Sequence, residues 1–369
     1  MKIAICNDLP DFQFNKILNP KIAKKYPGES WIPLFAKMAK KKRVEVLTGD
    51  IVLKQINTNS LKPKEVFVIQ TLDAKSAKKL IDLGAKPFLL IGPESPLYAY
   101  NFYLNLKNIA RTFPNRVLYS GIIKVIPKSL GKNYICNFPS FFINDILKPL
   151  PWKKRKFMVL VATNKYFEKN FPWPYPLYKT EYFDWAKDKL LQKISPIRNS
   201  AVKNQIVTKR FEIIEYFASR NLLNIFGSNW IKNKNIPNSW KRRLGIVKKL
   251  KPKNCKNKIK TISNYKFAIC YENVCYPGHI TEKIIDCFIA GVIPIYLGDP
   301  QITSRIPKSS FIDMRDFKNM ERLHKYLDSI TPKDAFKKIN SGQNFLRSKK
   351  GQQFSYESFA QKVQSLIPE

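Results

Sequence analysis

The sequence predicts an α/β protein of two domains, each built on a parallel sheet, and three observations lead there. Short apolar, β-rich runs alternate with helical patterns along most of the chain, as βαβ units require. The length, 369 residues, is long for one domain and comfortable for two. A proline-and-charge break, Pro149-Leu-Pro-Trp-Lys-Lys-Arg-Lys156, separates two such alternating series.

In the first series, strands are expected at Ile3–Cys6, Val44–Leu47, Val66–Gln70 and Phe88–Ile91. Helical stretches lie between them, such as Ala74–Leu83, which stops at Gly84. This series makes a domain of residues 1–150. A new apolar strand follows the break at Phe157–Val161 and opens a second domain, 151–335. Its elements are a helix over 203–219, a strand at Leu222–Phe226, a helix over 239–250 and a strand at Phe267–Tyr271. Then come a helix over 281–290, a strand at Ile293–Leu297, a short strand at Phe311–Met314 and a helix over 319–330. Helix also fills much of 333–366, so 336–369 is expected to be a helical segment packing back toward the first domain. Residues 166–178, rich in aromatics and proline, suit an ordered loop or lid.

Apolar residues make up 44% of the chain, enough for ordinary cores, and no run approaches the roughly 18 that a membrane span needs. The start, Met1-Lys-Ile-Ala-Ile-Cys-Asn-Asp8, has the pattern of a first strand, without the apolar stretch and cleavage site of a signal peptide. Six scattered cysteines form no Cys-x-x-Cys pair. Reduced thiols and a cytoplasmic location are therefore expected, with peripheral contact at the inner face of a membrane left open.

The net charge is +39, carried by 53 Lys against 13 Arg. Lys excess argues against specific nucleic-acid recognition, which leans on the bidentate fork of Arg. Residues 231–270 hold thirteen basic residues and no acid. Besides an ordinary solvated face, that stretch fits attraction to an anionic donor, or to anionic membrane or lipopolysaccharide.

The most informative segment is Phe267-Ala-Ile-Cys-Tyr-Glu272-Asn273-Val-Cys-Tyr-Pro-Gly-His279-Ile-Thr281-Glu282-Lys283, followed by Ile293-Pro-Ile-Tyr-Leu-Gly298. It is a strand, a polar loop, a helix start and a second strand. Charged groups thus stand at the carboxyl ends of parallel strands beside a helix N-terminus, where α/β proteins bind anionic ligands. Thr281 is the expected N-cap, and Ile284, Ile285, Phe288 and Ile289 the buried face. Lys283 in the first turn opposes the helix dipole, which is reasonable if an anion sits between it and the free N–H groups. A phosphate-binding Gly-x-x-x-x-Gly-Lys loop, Gly-x-Gly-x-x-Gly and His-Glu-x-x-His are all absent, and the chain has only two histidines, His279 and His324.

Residues 267–317 resemble the donor-binding region of the α-1,3/1,4-fucosyltransferases, glycosyltransferase family 10. The resemblance rests on Glu272-Asn273, His279, Glu282-Lys283 and Pro294-Ile-Tyr-Leu-Gly298, and continues through Pro307–Asp313 and Asp316-Phe317. It implies a GT-B-like fold of two Rossmann-like domains with sheets facing across a cleft. It further implies an inverting, metal-independent transferase with no cofactor, moving fucose from GDP-fucose to an acceptor glycan such as a GlcNAc- or Glc-containing surface saccharide. By the same resemblance Glu282 contacts the donor, Lys283 binds the diphosphate, and Asn273 belongs to the same loop. Arg210, ahead of Phe211–Phe217, matches the family's diphosphate-binding Arg, with Arg198 as rival. Glu94, in Gly92-Pro-Glu94-Ser95-Pro96, corresponds to the general base. His279 departs from the family's Tyr, which bears on donor choice. Two alternatives stand beside this reading: the same fold using another nucleotide sugar, and a basic protein that binds nucleic acid or anionic membrane.

Overall fold

The computed structural model describes residues 1–26, 28–92, 97, 99–118, 132–163, 190, 193, 196–228, 230 and 245–368. These form two compact units, Met1–Phe142 with Gln352–Glu369, and Ile143–Gly351. The division falls a little before the break at 149–156, and residues 352–369, not the whole of 336–369, group with the first unit.

The first unit carries β1 (Lys2–Cys6), α1 (Trp31–Lys41), β2 (Glu45–Thr48), α2 (Gly49–Asn57), β3 (Val66–Thr71), α3 (Lys75–Asp82), β4 (Lys86–Gly92), α4 (Tyr100–Thr112), β5 (Asn115–Leu118) and β6 (Lys132–Ile135). Its strands form one parallel sheet in the order β2-β1-β3-β4-β5-β6. β1 and β4 are almost wholly buried, as the apolar runs require when helices cover both faces of a sheet. The expected strands agree to within two residues; β5 and β6 lack a long apolar run, and the sequence did not announce them.

The second unit carries β7 (Lys156–Val161), α5 (Pro196–Lys203), α6 (Lys209–Ala218), β8 (Leu223–Phe226), α7 (Lys258–Ile262), β9 (Tyr265–Tyr271), α8 (Glu282–Ile289), β10 (Ile293–Leu297), β11 (Ile312–Asp313), α9 (Met320–Ser329) and α10 (Pro332–Arg347). Its parallel sheet runs β11-β10-β9-β7-β8. One face buries Phe267 and Ile269 against Phe217, Leu323 and Leu327 of α6 and α9. The helix expected over 203–219 is broken into α5 and α6. Residues 204–206 leave the helix to pair with the loop after β9, through Ile206 N–H to the Asn273 carbonyl (3.1 Å) and Cys275 N–H to the Asn204 carbonyl (2.8 Å).

The tail helix α11 (Tyr356–Gln364) packs on α1 of the first unit, where the Trp31 and Phe359 rings meet edge to face at 5.1 Å. Tyr356 N–H donates to the Phe141 carbonyl at 2.9 Å, pinning the start of that helix. Among the described residues, no helix is long and apolar enough to cross a membrane.

Candidate functional site

β9 and β10 run side by side in parallel, with Tyr271 opposite Leu297, so the loops that follow them emerge together. The Glu272 N–H donates to the Leu297 carbonyl at 2.8 Å and carries the pairing one residue past the sheet. Gly298 is required there: a Cβ would lie 2.6 Å from Glu272 Cγ and would also strike the Tyr296 hydroxyl.

Glu272 is fully buried and organises the loop. Its carboxylate accepts the Thr281 backbone N–H at 2.9 Å and the Thr281 hydroxyl at 2.8–3.0 Å. It also accepts the Lys283 ammonium at 2.8 Å. Thr281 occupies the N-cap position, but its side chain does not cap the helix; it donates to Glu272 and accepts from Lys283 at 2.8 Å. The anion that makes Lys283 tolerable in the first turn of α8 is therefore the chain's own Glu272. Burial alone would lower the Lys283 pKa, but Glu272 and Glu282 together raise it, so the ammonium stays charged.

Arg210 sits at the N-terminus of α6, 3% exposed. Its guanidinium donates to the Tyr271 carbonyl at 3.1 Å, the Glu272 carbonyl at 3.5 Å and Asn273 Oδ1 at 3.4 Å. The break at 204–208 brings α6 to this edge. His279 lies in the same loop, 5% exposed, its N–H donating to the Tyr276 carbonyl. Four of the expected residues, Arg210, Asn273, Glu282 and Lys283, thus gather at the carboxyl end of the second sheet, with buried His279 in the same loop. Arg198 belongs to α5, but its side chain is outside the described residues, as are Glu94 with its neighbours 93–96 and the aromatic stretch 166–178.

A group the sequence did not single out joins them. Lys258, the first residue of α7, reaches Asp286 Oδ2 at 2.6 Å and Glu282 Oε1 at 3.4 Å on α8. Burial works to raise the Glu282 pKa, but Lys283 and Lys258 overcome it and hold the carboxyl down to about 2. Asp286 goes the other way: burial, helped by neighbouring Glu282 and opposed by Lys258, pushes it up to about 6. Arg210, Lys258 and Lys283 line one depression at this edge, with Tyr271 and the ends of β7 and β9 as its walls. Nothing in the sequence separates Lys258 from the other lysines of 231–270; only the crossing from α7 to α8 does. Such a cation cluster at strand ends and a helix start attracts an anionic group, and the depression itself has an open volume of about 20 Å³, room for a water-sized group.

The family match falls on this same segment. Residues 197–340 match the family described as Glycosyltransferase family 10 (fucosyltransferase) C-term. The α-(1,3)-fucosyltransferase FucT of Helicobacter pylori is 39% identical over 93 residues, covering 25% of this chain and 20% of that protein. The human 4-galactosyl-N-acetylglucosaminide 3-alpha-L-fucosyltransferase 9 is 39% identical over 79 residues, covering 21% of this chain and 22% of that protein. The chain thus spans about a fifth of the length of these relatives. Among solved structures, a glycosyltransferase from Rickettsia africae superposes with a TM-score of 0.54 at 10% identity, covering 99% of this chain and 97% of that one. Anabaena Alr3699/HepE, in complex with UDP-glucose, gives 0.51 at 13% identity, with both chains covered in full. These likenesses agree with the α/β fold of GT-B type, two Rossmann-like units each on a parallel sheet. Residues 197–340, the part of the chain that resembles the C-terminal region of glycosyltransferase family 10, include Arg210, Lys258, Glu272, Asn273, His279, Glu282 and Lys283.

Proposed function

We propose that the protein is an inverting fucosyltransferase that moves fucose from GDP-fucose to a hydroxyl of an acceptor glycan. The observation that carries this reading is the convergence of Arg210, Lys258 and Lys283 on one depression inside the segment that matches the family. In the reaction, Glu94 accepts the proton of the acceptor hydroxyl. The acceptor oxygen bonds to the anomeric carbon of fucose as its bond to the diphosphate breaks, and GDP leaves. Lys283 and Arg210 offset the charge that develops on the leaving diphosphate. Glu282, kept ionised by its two lysines, accepts from a hydroxyl of the donor, and Asn273 and His279 shape the loop around it.

The test is release of GDP from GDP-fucose by purified protein, with calorimetric titration of GDP in EDTA. Binding and turnover without added metal are expected; strict dependence on Mn²⁺ or Mg²⁺ would overturn the metal-independent mechanism. UDP and UDP-glucose titrated alongside test the reading of the same fold with another nucleotide sugar. Glu94→Gln should keep GDP-fucose affinity while transfer falls by about 10²-fold, the usual worth of a general base.

The acceptor we infer is a GlcNAc- or Glc-containing surface saccharide, such as the sugar chain of lipopolysaccharide, fucosylated at an α-1,3 position. Exposed Lys248, Lys249, Lys251, Lys253, Lys256 and Lys260 support peripheral contact with an anionic membrane at the cytoplasmic face. Co-sedimentation with anionic vesicles that fades with salt, and is absent with neutral vesicles, is the expected outcome.

A further inference from the structure

Lys258 belongs to no motif, yet it bridges α7 and α8 at the wall of the depression. The titratable groups around it are Glu282, Lys283, Asp286 and Cys287 of α8, Arg210 across the depression, and Tyr271 at the end of β9. Among the described groups, the cations Arg210, Lys258 and Lys283 balance the carboxylates Glu272, Glu282 and Asp286, with Lys283 paired to Glu272 and Lys258 to Asp286. Without Lys258 these groups would be two cations and three carboxylates, a net negative balance that disfavours an anion.

We propose that Lys258 is a positioning residue of the donor site, which neutralises Asp286 so that this carboxylate does not oppose the diphosphate, and which anchors Glu282 toward the ligand. The proposal rests on reading the depression as the nucleotide-diphosphate site. Asp286 is held only just on the ionised side of neutrality, at about 6, although Lys258 already pulls it down. Removing Lys258 should therefore let Asp286 keep its proton near neutral pH and shed it only at higher pH. The cost to an anionic ligand then appears as Asp286 ionises. A lysine that merely packed α7 on α8 would give a loss independent of pH.

The experiment is titration of GDP, in EDTA and at fixed ionic strength, into wild type, Lys258→Met and Lys258→Met/Asp286→Asn from pH 6 to 9. Relative to wild type at each pH, Lys258→Met should lose about threefold or less at pH 6 and tenfold or more by pH 9, the scale of one uncompensated neighbouring charge. The double variant should stay within about threefold throughout, because the pair is removed together. A ratio that does not change with pH, or a double variant no better than the single one, would overturn the proposal. If Lys258→Met does not fold, Asp286→Asn alone decides: removing one of the two carboxylates that face Lys258 should tighten GDP several-fold, and unchanged or weaker binding overturns the role. If wild type itself does not bind GDP, the donor reading fails. The Tm deficit of Lys258→Met in ligand-free protein then judges the pairing: it should deepen from pH 6 to 9, and a constant deficit overturns it.

Discussion

Lys283 is a cation in the first turn of α8, at the positive end of the helix dipole. The dipole calls for an anion beside that cation, and the anion is Glu272, fully buried just past the end of β9. The sequence displayed both residues inside one motif but not their contact, because the chain between them loops out and returns. Nor did the sequence show the contact between Lys258 and Asp286, which lie on different helices. Lys283→Ala and Arg210→Ala should each weaken GDP by about 1.5–3 kcal/mol in calorimetry, the scale of charge-assisted hydrogen bonds; equal affinity for either variant would remove that residue from the diphosphate. Two neighbouring carboxyls make an opposite pair of pH statements. Glu282 has its pKa lowered from 4.5 to about 2, so its contribution is present above 4.5 and lost as pH falls through 2. Asp286 is raised from 3.8 to about 6, so its contribution is present below 3.8 and lost as pH rises through 6. Local stability of α8 should therefore peak between these limits, near pH 4–5. Amide exchange of α8 across pH 3–8 measures it, and Asp286→Asn should flatten the upper limb.

At the scale of elements, β9, α8 and β10 were legible because apolar periodicity and a parallel register act locally. The helix expected over 281–290 stands at Glu282–Ile289, and Ile293–Leu297 agrees at both ends. What failed was the long helix over 203–219. Its helical pattern is genuine, but 204–206 gain more by pairing with the loop at 273–275 than by continuing the helix. That tertiary override brings Arg210 to the strand ends. Gly298 belongs to the same scale, since it lets two loops pass at the end of the sheet. Gly298→Ala would force Tyr296 or Glu272 aside, and should cost about 1–3 kcal/mol in denaturant unfolding, the range of overpacked sites. It should also weaken GDP, because Glu272 is what holds Lys283. A variant as stable as wild type, with unchanged GDP affinity, would show that the loop yields freely.

At the scale of the molecule, two alternating βαβ series foretold two sheets, and composition foretold their cores. Strand order did not follow from the sequence, because it depends on which crossovers pack. Nor did the point at which the tail joins the first unit: both long helices near the C-terminus show a helical pattern, and only contacts assign α10 to one unit and α11 to the other. Deleting 352–369 should bare the face of α1 that holds Trp31 and lower the Tm of the first unit, with increased dye binding to exposed apolar surface. The second unit should keep its unfolding transition; its loss as well would mean that the two units unfold as one. The chain thus passes from unit to unit twice, at 142/143 and at 351/352. On the ribosome this reverses the usual schedule. The segment 1–142 emerges before 143–351, and its α1 face stays uncovered until 352–369 has been made. The unit whose synthesis starts first is the one that closes last, so a stall or nonsense codon late in the message would leave the second unit attached to an unfinished, aggregation-prone neighbour.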